Sequence, residues 1–219
     1  MPTPYSCVLV DLDGTIVDSA PGITATLAYT FVELGLPVPP PAQLLAYVGP
    51  PLLDSFRELA GFTSQQAATA LAIYRARYLS VGVFDATVYP GMAWFLATVH
   101  EHRVPLSLAT SKPETPATMI LTHYGLANNF DVITGASDDE VRSAKADVVA
   151  EALVRLAALG CDVSKPVMVG DRIHDVHGAA AHGVPTIFVE WGYGLPAEAV
   201  GAVGVVSDVA ELQRLVVGT

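Results

Sequence analysis

The sequence Asp11-Leu12-Asp13-Gly14-Thr15 stands directly after the apolar run Cys7-Val8-Leu9-Val10. The apolar run is typical of a strand buried on both faces of a parallel sheet, and Gly14-Thr15 predicts the loop that ends it. The two aspartates therefore lie at the carboxyl end of a strand, where open α/β sheets bind their ligands. Because side chains two residues apart in extended backbone lean the same way, both carboxylates can reach one ligand.

Alternating strand and helix patterns fill the chain after Val88. Strand-like runs are Val104–Ala109, Asp131–Thr134, Pro166–Val169 and Thr186–Val189, with a weaker run at Val203–Val206. Helical patterns occupy the intervals at about 91–102, 114–124, 144–159, 175–182 and 208–217. This alternation predicts an α/β fold, with a Rossmann-like, mainly parallel sheet covered by helices on both faces.

The segment between the first strand and residue 87 differs from the rest because it has no convincing strand pattern. Ser19 can cap a helix that Gly35 stops, and Thr63-x-x-Gln66 is a capping-box pattern ahead of a second helix. We therefore predict an α-helical cap domain inserted into a discontinuous core. The predicted cap is residues 17–86, and the predicted core is residues 1–16 and 87–219.

The charge balance excludes several classes of partner. The chain has 22 acidic and 11 basic residues and a formal net charge of −11, so a basic stripe for nucleic acid or an anionic membrane is absent. No apolar run approaches the length of a membrane span. Cys7 and Cys161 lie in or near apolar stretches, which favours a reducing compartment over a disulfide framework. We expect a cytoplasmic monomer or homodimer.

Four segments carry residues suited to phosphate chemistry. They are Asp11-x-Asp13, Thr110-Ser111-Lys112 after the strand Val104–Ala109, Lys145 at the start of a helix, and Gly170-Asp171-Arg172-Ile173-His174-Asp175 after the strand Pro166–Val169. A phosphoryl group is dianionic, and a hard divalent cation held by carboxylates neutralises it best. Asp11 and Asp171 are the natural pair for Mg²⁺. Lys145 and Thr110 would add an ammonium and a hydroxyl.

These four segments, in this order, resemble the motifs of the haloacid dehalogenase superfamily of aspartate-nucleophile phosphatases. The resemblance covers essentially the whole chain, including the position of the cap. It is sharpest toward phosphoglycolate-phosphatase-like and 5′-nucleotidase-like members. The stretches similar to that subgroup are Gly49-Pro50-Pro51-Leu52, Val88-Tyr89-Pro90-Gly91 and Gly170-Asp171-Arg172-x-x-Asp175.

The resemblance implies catalytic roles for the residues that match its motifs. Asp11 would attack phosphorus and form an aspartyl-phosphate. Asp13 would protonate the leaving oxygen and then activate the water that hydrolyses the intermediate. Thr110 and the backbone N–H of Ser111 would bind the phosphoryl oxygens, and Lys145 would stabilise the charge on nucleophile and phosphate. We choose Lys145 because the other candidate, Lys165, precedes its strand and so lies at the wrong end.

The resemblance also implies a Mg²⁺ site. Asp11, Asp171 and the backbone carbonyl of Asp13 would be ligands. Asp175 would either hold a metal-bound water or orient Lys145.

We thus expect a Mg²⁺-dependent phosphomonoester hydrolase acting on a small phosphorylated metabolite, with phosphoglycolate or a nucleoside 5′-monophosphate as first candidates. A phosphomutase of the β-phosphoglucomutase kind and a non-catalytic protein that binds phosphorylated ligands are the alternatives. Asp13 argues against a dehalogenase, since a departing halide needs no proton. In the cap, Tyr47 and the turn Gly49–Leu52 are expected to face the active site.

Overall fold

Six strands form a parallel sheet at the centre of the computed structural model, which describes residues 3–139 and 141–218. The described residues form eight strands, six in this sheet and two in a separate pair. In chain order they are β1 (Cys7–Val10), β2 (Val17–Asp18), β3 (Thr87–Val88), β4 (Leu106–Pro113), β5 (Val132–Ala136), β6 (Pro166–Gly170), β7 (Thr186–Val189) and β8 (Gly204–Val206). The six-stranded sheet has the order β5-β4-β1-β6-β7-β8, and β2 and β3 form a separate antiparallel pair.

Helices cover both faces of this sheet. Within the described residues they are α1 (Ala20–Glu33), α2 (Pro41–Leu45), α3 (Leu52–Glu58), α4 (Ser64–Ser80), α5 (Met92–Glu101), α6 (Glu114–His123), α7 (Lys145–Ala158), α8 (Ile173–Ala180) and α9 (Val209–Val217). Cys7 and Leu9 point toward α7 and α8, whereas Val8 and Val10 point toward the core beneath α5, α6 and α9. This alternation explains why β1 is apolar at every position.

The order of the sheet determines where the polar residues meet. β1 lies between β4 and β6, and Val8 pairs with Leu106 on one side and Val167 on the other. All three strands run in the same direction, so their carboxyl ends share one edge. The predicted α/β, Rossmann-like core is confirmed.

The helices α1 to α4 lie between β2 and β3 in the chain and form the region predicted as a cap. Their interior is aromatic, and ring centroids 5.8–6.5 Å apart link Phe31, Tyr47, Phe56 and Phe62. The expectation of no strand in residues 17–86 is wrong by two residues, because β2 falls inside it and pairs with β3 just beyond its end. The division into core and cap stays a prediction.

Local sequence patterns predict most ends of the helices and strands, and the structure corrects two of these predictions. The capping box is confirmed, since the Thr63 N–H donates to Gln66 Oε1 at 2.9 Å and the Gln66 N–H to Thr63 Oγ1 at 3.3 Å. Ser19 occupies the N-cap of α1, but its side chain makes no capping hydrogen bond. The strand predicted to end at Ala109 continues as β4 through the Thr110 segment, with a register shift against β5.

None of the helices in the described part of the chain has the length and hydropathy needed to span a membrane.

Candidate active site

The carboxyl edge of β1, β4 and β6 holds the residues predicted from the four segments. The structure brings them together in a buried group consisting of Asp11, Asp13, Thr110, Ser111, Lys145, Asp171 and Asp175. Five of these side chains follow a strand or lie near its end, Lys145 is the first residue of α7, and Asp175 lies in the first turn of α8. Lys165, in contrast, is exposed at the opposite edge, where its N–H donates to Ser6 Oγ at 2.8 Å. Lys145 therefore lies at the carboxyl edge of the sheet, and Lys165 does not.

Three carboxylates at this edge are arranged as divalent-metal ligands are. One oxygen each of Asp11, Asp171 and Asp175 lies within 4.8 Å of the others. Burial raises the pKa of Asp171, and the Asp175 and Asp11 charges raise it further. Burial likewise raises the pKa of Asp11, against the opposing effect of the Lys145 ammonium. A buried cluster of oxygens with excess negative charge fits a hard cation such as Mg²⁺.

Lys145 links two of these carboxylates. Its Nζ lies 2.8 Å from Asp11 Oδ1 and 2.7 Å from Asp175 Oδ1, and it donates a hydrogen bond to the Ala109 carbonyl at 3.1 Å. Burial lowers the pKa of Lys145, but the two carboxylates outweigh this effect and raise the pKa overall. Asp175 is thus in contact with Lys145, which is one of the two roles expected for it.

The Asp13 side chain has partners outside the carboxylate triad. Its Oδ2 lies 2.9 Å from Lys112 Nζ, and its Oδ1 accepts a hydrogen bond from Ser19 Oγ at 2.5 Å. Lys112 Nζ also lies 4.8 Å from the ring centroid of Tyr78 in α4. Lys112 has no predicted role, although it is one of only three lysines and stands inside a predicted segment.

The loop after β7 also reaches the site, and its residues are not among the predicted site residues. The Tyr193 N–H donates to Asp171 Oδ2 at 2.7 Å, and Thr15 Oγ1 donates to Asp171 Oδ1 at 3.1 Å. The Tyr193 hydroxyl donates to Asp18 Oδ1 at 2.8 Å and accepts from the Ser19 N–H at 2.8 Å. The signal was the Gly192-Tyr193-Gly194 pattern, since glycine allows backbone to approach another chain segment closely.

A substitution at Gly194 tests the close approach of this loop to Asp171. A Cβ there would lie 1.8 Å from the Asp171 carbonyl oxygen and 2.8 Å from the Phe188 ring. We expect Gly194→Ala to lower the free energy of unfolding by about 1–3 kcal/mol. Because the clash would shift the backbone of Asp171, one of the three candidate metal ligands, it should also weaken Mg²⁺ affinity by roughly 10–100-fold. Urea melts and calorimetric titration with Mg²⁺ measure the two effects.

Gly204→Ala is the matched control, because its Cβ would meet nothing closer than Leu215 Cδ1 at 3.3 Å, the end of a flexible side chain. Equal behaviour of the two variants would mean that the loop can move away from Asp171 at no cost.

A cavity of about 330 Å³ separates this edge from the cap helices. Asp13, Ser111 and Lys112 line its core side. Tyr47 and the turn Gly49–Leu52 line its cap side, where the sequence analysis expected them. Arg172, which follows Asp171, donates from Nη1 to the Val48 carbonyl at 2.6 Å. This hydrogen bond joins the region predicted as a cap to the carboxyl edge of the sheet.

The family model described as haloacid dehalogenase-like hydrolase matches residues 8–189. This chain belongs to that family.

Several relatives resemble the chain over most of its length. The tyrosine-protein kinase PtkA of Mycobacterium tuberculosis is 42% identical over 187 residues, or 85% of this chain. The chain spans 62% of the length of that kinase. A 5′-nucleotidase of Pseudomonas aeruginosa is 35% identical over 87% of this chain and 85% of its own length. A phosphoglycolate phosphatase of Rhodospirillum rubrum is 34% identical over 94% and 88%, respectively.

Among solved structures, a predicted phosphatase from Clostridium acetobutylicum has a TM-score of 0.90 and 37% identity, and the match covers 96% of this chain and 97% of that one. The predicted resemblance to phosphoglycolate-phosphatase-like and 5′-nucleotidase-like members of the family is confirmed.

Proposed function

We propose that this protein is a Mg²⁺-dependent phosphomonoester hydrolase that acts on a small phosphorylated metabolite through an aspartyl-phosphate on Asp11. The observation that carries the proposal is the placement of Asp11. Its carboxylate lies among Asp171, Asp175 and the Lys145 ammonium, at the edge where the family binds its ligands. Membership of the hydrolase family and the two phosphatase-type relatives support it.

Asp11 and Asp13 divide the chemistry because their surroundings differ. Asp11 is the nucleophile, and its ion pair with Lys145 favours the ionised form that attacks phosphorus. Asp13 lies on the cavity side, where it donates a proton to the departing oxygen and later takes one from water. Lys112 and Ser19 fix the position of both Asp13 oxygens for these transfers.

The phosphoryl oxygens are bound by donors on two elements. Lys145 approaches from α7 as a cation. Thr110 and the backbone N–H of Ser111 approach from the end of β4. Such fixed donors stabilise the charge that develops during transfer more strongly than mobile water does.

Mg²⁺ would be held by Asp11, Asp171 and the backbone carbonyl of Asp13, with Asp175 close enough to hold a metal-bound water while it orients Lys145. When bound, the ion supplies positive charge that lets an anionic nucleophile approach a dianionic phosphate.

Removal of metal should make stability depend on pH. Asp11 and Asp171 have pKa values above the unfolded value of about 4, so their contribution to stability is fully present below that pH. It is lost as pH rises through the folded-state pKa values. We expect the protein in EDTA to lose melting temperature from pH 5 to pH 9 by this route. Mg²⁺ at about 100 times its Kd should add about 2.7 kcal/mol, or roughly 5–10 °C.

Differential scanning fluorimetry with and without Mg²⁺ measures this effect, and Asp171→Asn should lose most of the Mg²⁺ response. Identical melting temperatures with EDTA and Mg²⁺ at every pH would contradict the metal site.

The experiment that tests the proposed function combines turnover with a trapped intermediate. Phosphate release from phosphorylated metabolites should require Mg²⁺ and stop with EDTA. In Asp13→Asn, p-nitrophenyl phosphate should give a burst of nitrophenolate, because this leaving group needs no proton, while hydrolysis of the phosphoenzyme is slow. Mass spectrometry should then find phosphate on Asp11.

Other outcomes identify the alternatives. Isomerised phosphosugar without released phosphate would indicate a phosphomutase, and phosphate transferred from a nucleotide to a tyrosine peptide would indicate a kinase. Binding without any turnover would indicate a non-catalytic protein.

The location, the partners and the oligomeric state of the protein are also proposals. Cys7 and Cys161 are both free thiols, which supports a reducing, cytoplasmic location. The partner is the small phosphorylated substrate. The net charge of −11 speaks against nucleic acid and anionic membranes, and a monomer or a homodimer would serve the mechanism equally.

A further inference from the structure

The cavity between core and cap contains the place where the departing alcohol must lie. Asp13 and Ser111 line it, and Asp13 is the proposed proton donor to the leaving oxygen. The cavity of about 330 Å³ extends from Asp13 to helix α4 and the turn after Tyr47. Sites that bury a whole organic ligand have volumes of roughly 300–1,000 Å³. A two-carbon glycolate would leave most of this space empty.

The cavity wall is mainly hydrocarbon and aromatic. Its apolar side chains include Ile23, Tyr47, Leu52, Leu71, Tyr74 and Tyr78. Tyr74 and Tyr78 stack with ring centroids 5.4 Å apart and an interplanar angle of 13°. Pro113 and Pro116 lie on the core side. Flat, rigid surfaces of this kind favour a planar ring, which gains contact area and offset stacking.

The cation beside Asp13 on the cavity wall is already paired, because Lys112 Nζ lies 2.9 Å from Asp13 Oδ2. Arg75, also on the wall, donates from Nη1 to the neutral Asp138 carbonyl at 3.1 Å. A second anionic group beside Asp13 would have to compete with that carboxylate for Lys112, which is unfavourable.

We propose that the substrate is the phosphomonoester of a neutral, ring-bearing alcohol, either a nucleoside or an aryl alcohol, whose ring lies against Tyr74. This inference rests on the proposed function, because it assigns the cavity beside Asp13 to the leaving group. It follows that phosphoglycolate is a poor substrate.

The first test compares substrates that differ in the ring alone. Adenosine 5′-monophosphate and ribose 5-phosphate share the phosphate and the sugar, so their ratio of kcat/KM isolates the base. We expect adenosine 5′-monophosphate to exceed ribose 5-phosphate and phosphoglycolate by at least tenfold. Phenyl phosphate, assayed in parallel, distinguishes the two sources of a ring. A higher value for phenyl phosphate than for the nucleotide assigns the site to aryl esters, and the reverse assigns it to nucleosides.

The second test removes the stacking surface. Tyr74→Leu should lower the ratio of kcat/KM for adenosine 5′-monophosphate over ribose 5-phosphate by about tenfold. A general loss of folding cancels in this ratio. Tyr29→Leu is the matched control, because Tyr29 is 38% exposed on α1 and its ring contacts Arg77 outside the cavity. The control variant should keep the wild-type ratio.

Binding by Asp11→Asn separates this inference from the proposed function. Calorimetry with Mg²⁺ should give a Kd for the nucleotide or phenyl phosphate at least tenfold below that for ribose 5-phosphate. If Asp11→Asn binds in this way but the wild type hydrolyses none of the ligands, the proposed hydrolase activity is overturned and the proposed binding site for the ring is supported. If kcat/KM for phosphoglycolate equals or exceeds the values for both adenosine 5′-monophosphate and phenyl phosphate, the proposed binding site for the ring is overturned and the proposed hydrolase activity is not. Equal binding of all four ligands by Asp11→Asn would also overturn it.

Discussion

Asp11→Asn should lower kcat by about 10³-fold or more, which is about 4 kcal/mol in the barrier. An amide keeps the shape of the carboxylate but cannot attack phosphorus or be phosphorylated. It also removes one negative charge from the carboxylate triad, so Mg²⁺ should bind more weakly. Phosphate release at saturating substrate, with calorimetric Mg²⁺ titration beside it, measures both effects.

Folding should survive this change, because Lys145 keeps Asp175 as a partner at 2.7 Å. The matched control is Asp54→Asn, which changes an aspartate whose side chain is 52% exposed and pairs with Arg57 on the cap surface. It should retain wild-type activity. Full activity of Asp11→Asn, with mass spectrometry showing that the asparagine has not reverted to aspartate, would exclude Asp11 as the nucleophile.

The sheet and its carboxyl edge could be predicted because their signals are local. The run before Asp11 is apolar at four successive positions, and the same pattern recurs before Asp171. Parallel strands must place their carboxyl ends at one edge, so the edge that holds Asp11 and Asp171 could be predicted. Their close approach depends in addition on β1 lying next to β6, which the local signals do not give. The Thr63 capping box is equally local, since both its hydrogen bonds join residues three positions apart.

The partners of Asp13 could not be predicted because they depend on tertiary packing. Lys112 reaches Asp13 across 99 positions, and Tyr193 reaches Ser19 across 174. Ser19 looked like a helix cap because its residue type and position suit one. In the folded protein its hydroxyl instead bonds to Asp13, and Tyr193 bonds to the backbone N–H. The local preference was overridden by a buried carboxylate.

The smaller elements of the cap were missed for a different reason. α2 and α3 have five and seven residues, which is too short for a helical repeat of apolar positions to be recognised. β2 and β3 have two residues each, and their pairing joins segments about 70 positions apart. Such short elements exist because the surrounding structure holds them.

Lys145→Met should cause the largest combined loss of stability and activity. The change removes an ammonium that contacts Asp11 Oδ1, Asp175 Oδ1 and the Ala109 carbonyl, and leaves the buried carboxylates without a counter-charge. Breaking a buried ion pair in this way costs about 3–5 kcal/mol, or roughly 6–20 °C in melting temperature. Loss of a cation at the phosphate should lower kcat by about 10²–10³-fold.

The pH dependence distinguishes this explanation from a simple packing defect. The Lys145 ammonium lowers the pKa of Asp11, so its removal raises that pKa further. The stability penalty should then be small near pH 4 and grow as pH rises, and Mg²⁺ should restore more stability to the variant than to the wild type. Lys165→Met, at the opposite edge of the sheet, should change stability by about 0.5 kcal/mol or less. A penalty for Lys145→Met that is constant across pH 5–9 would mean that Lys145 acts through its hydrocarbon chain and not through its charge.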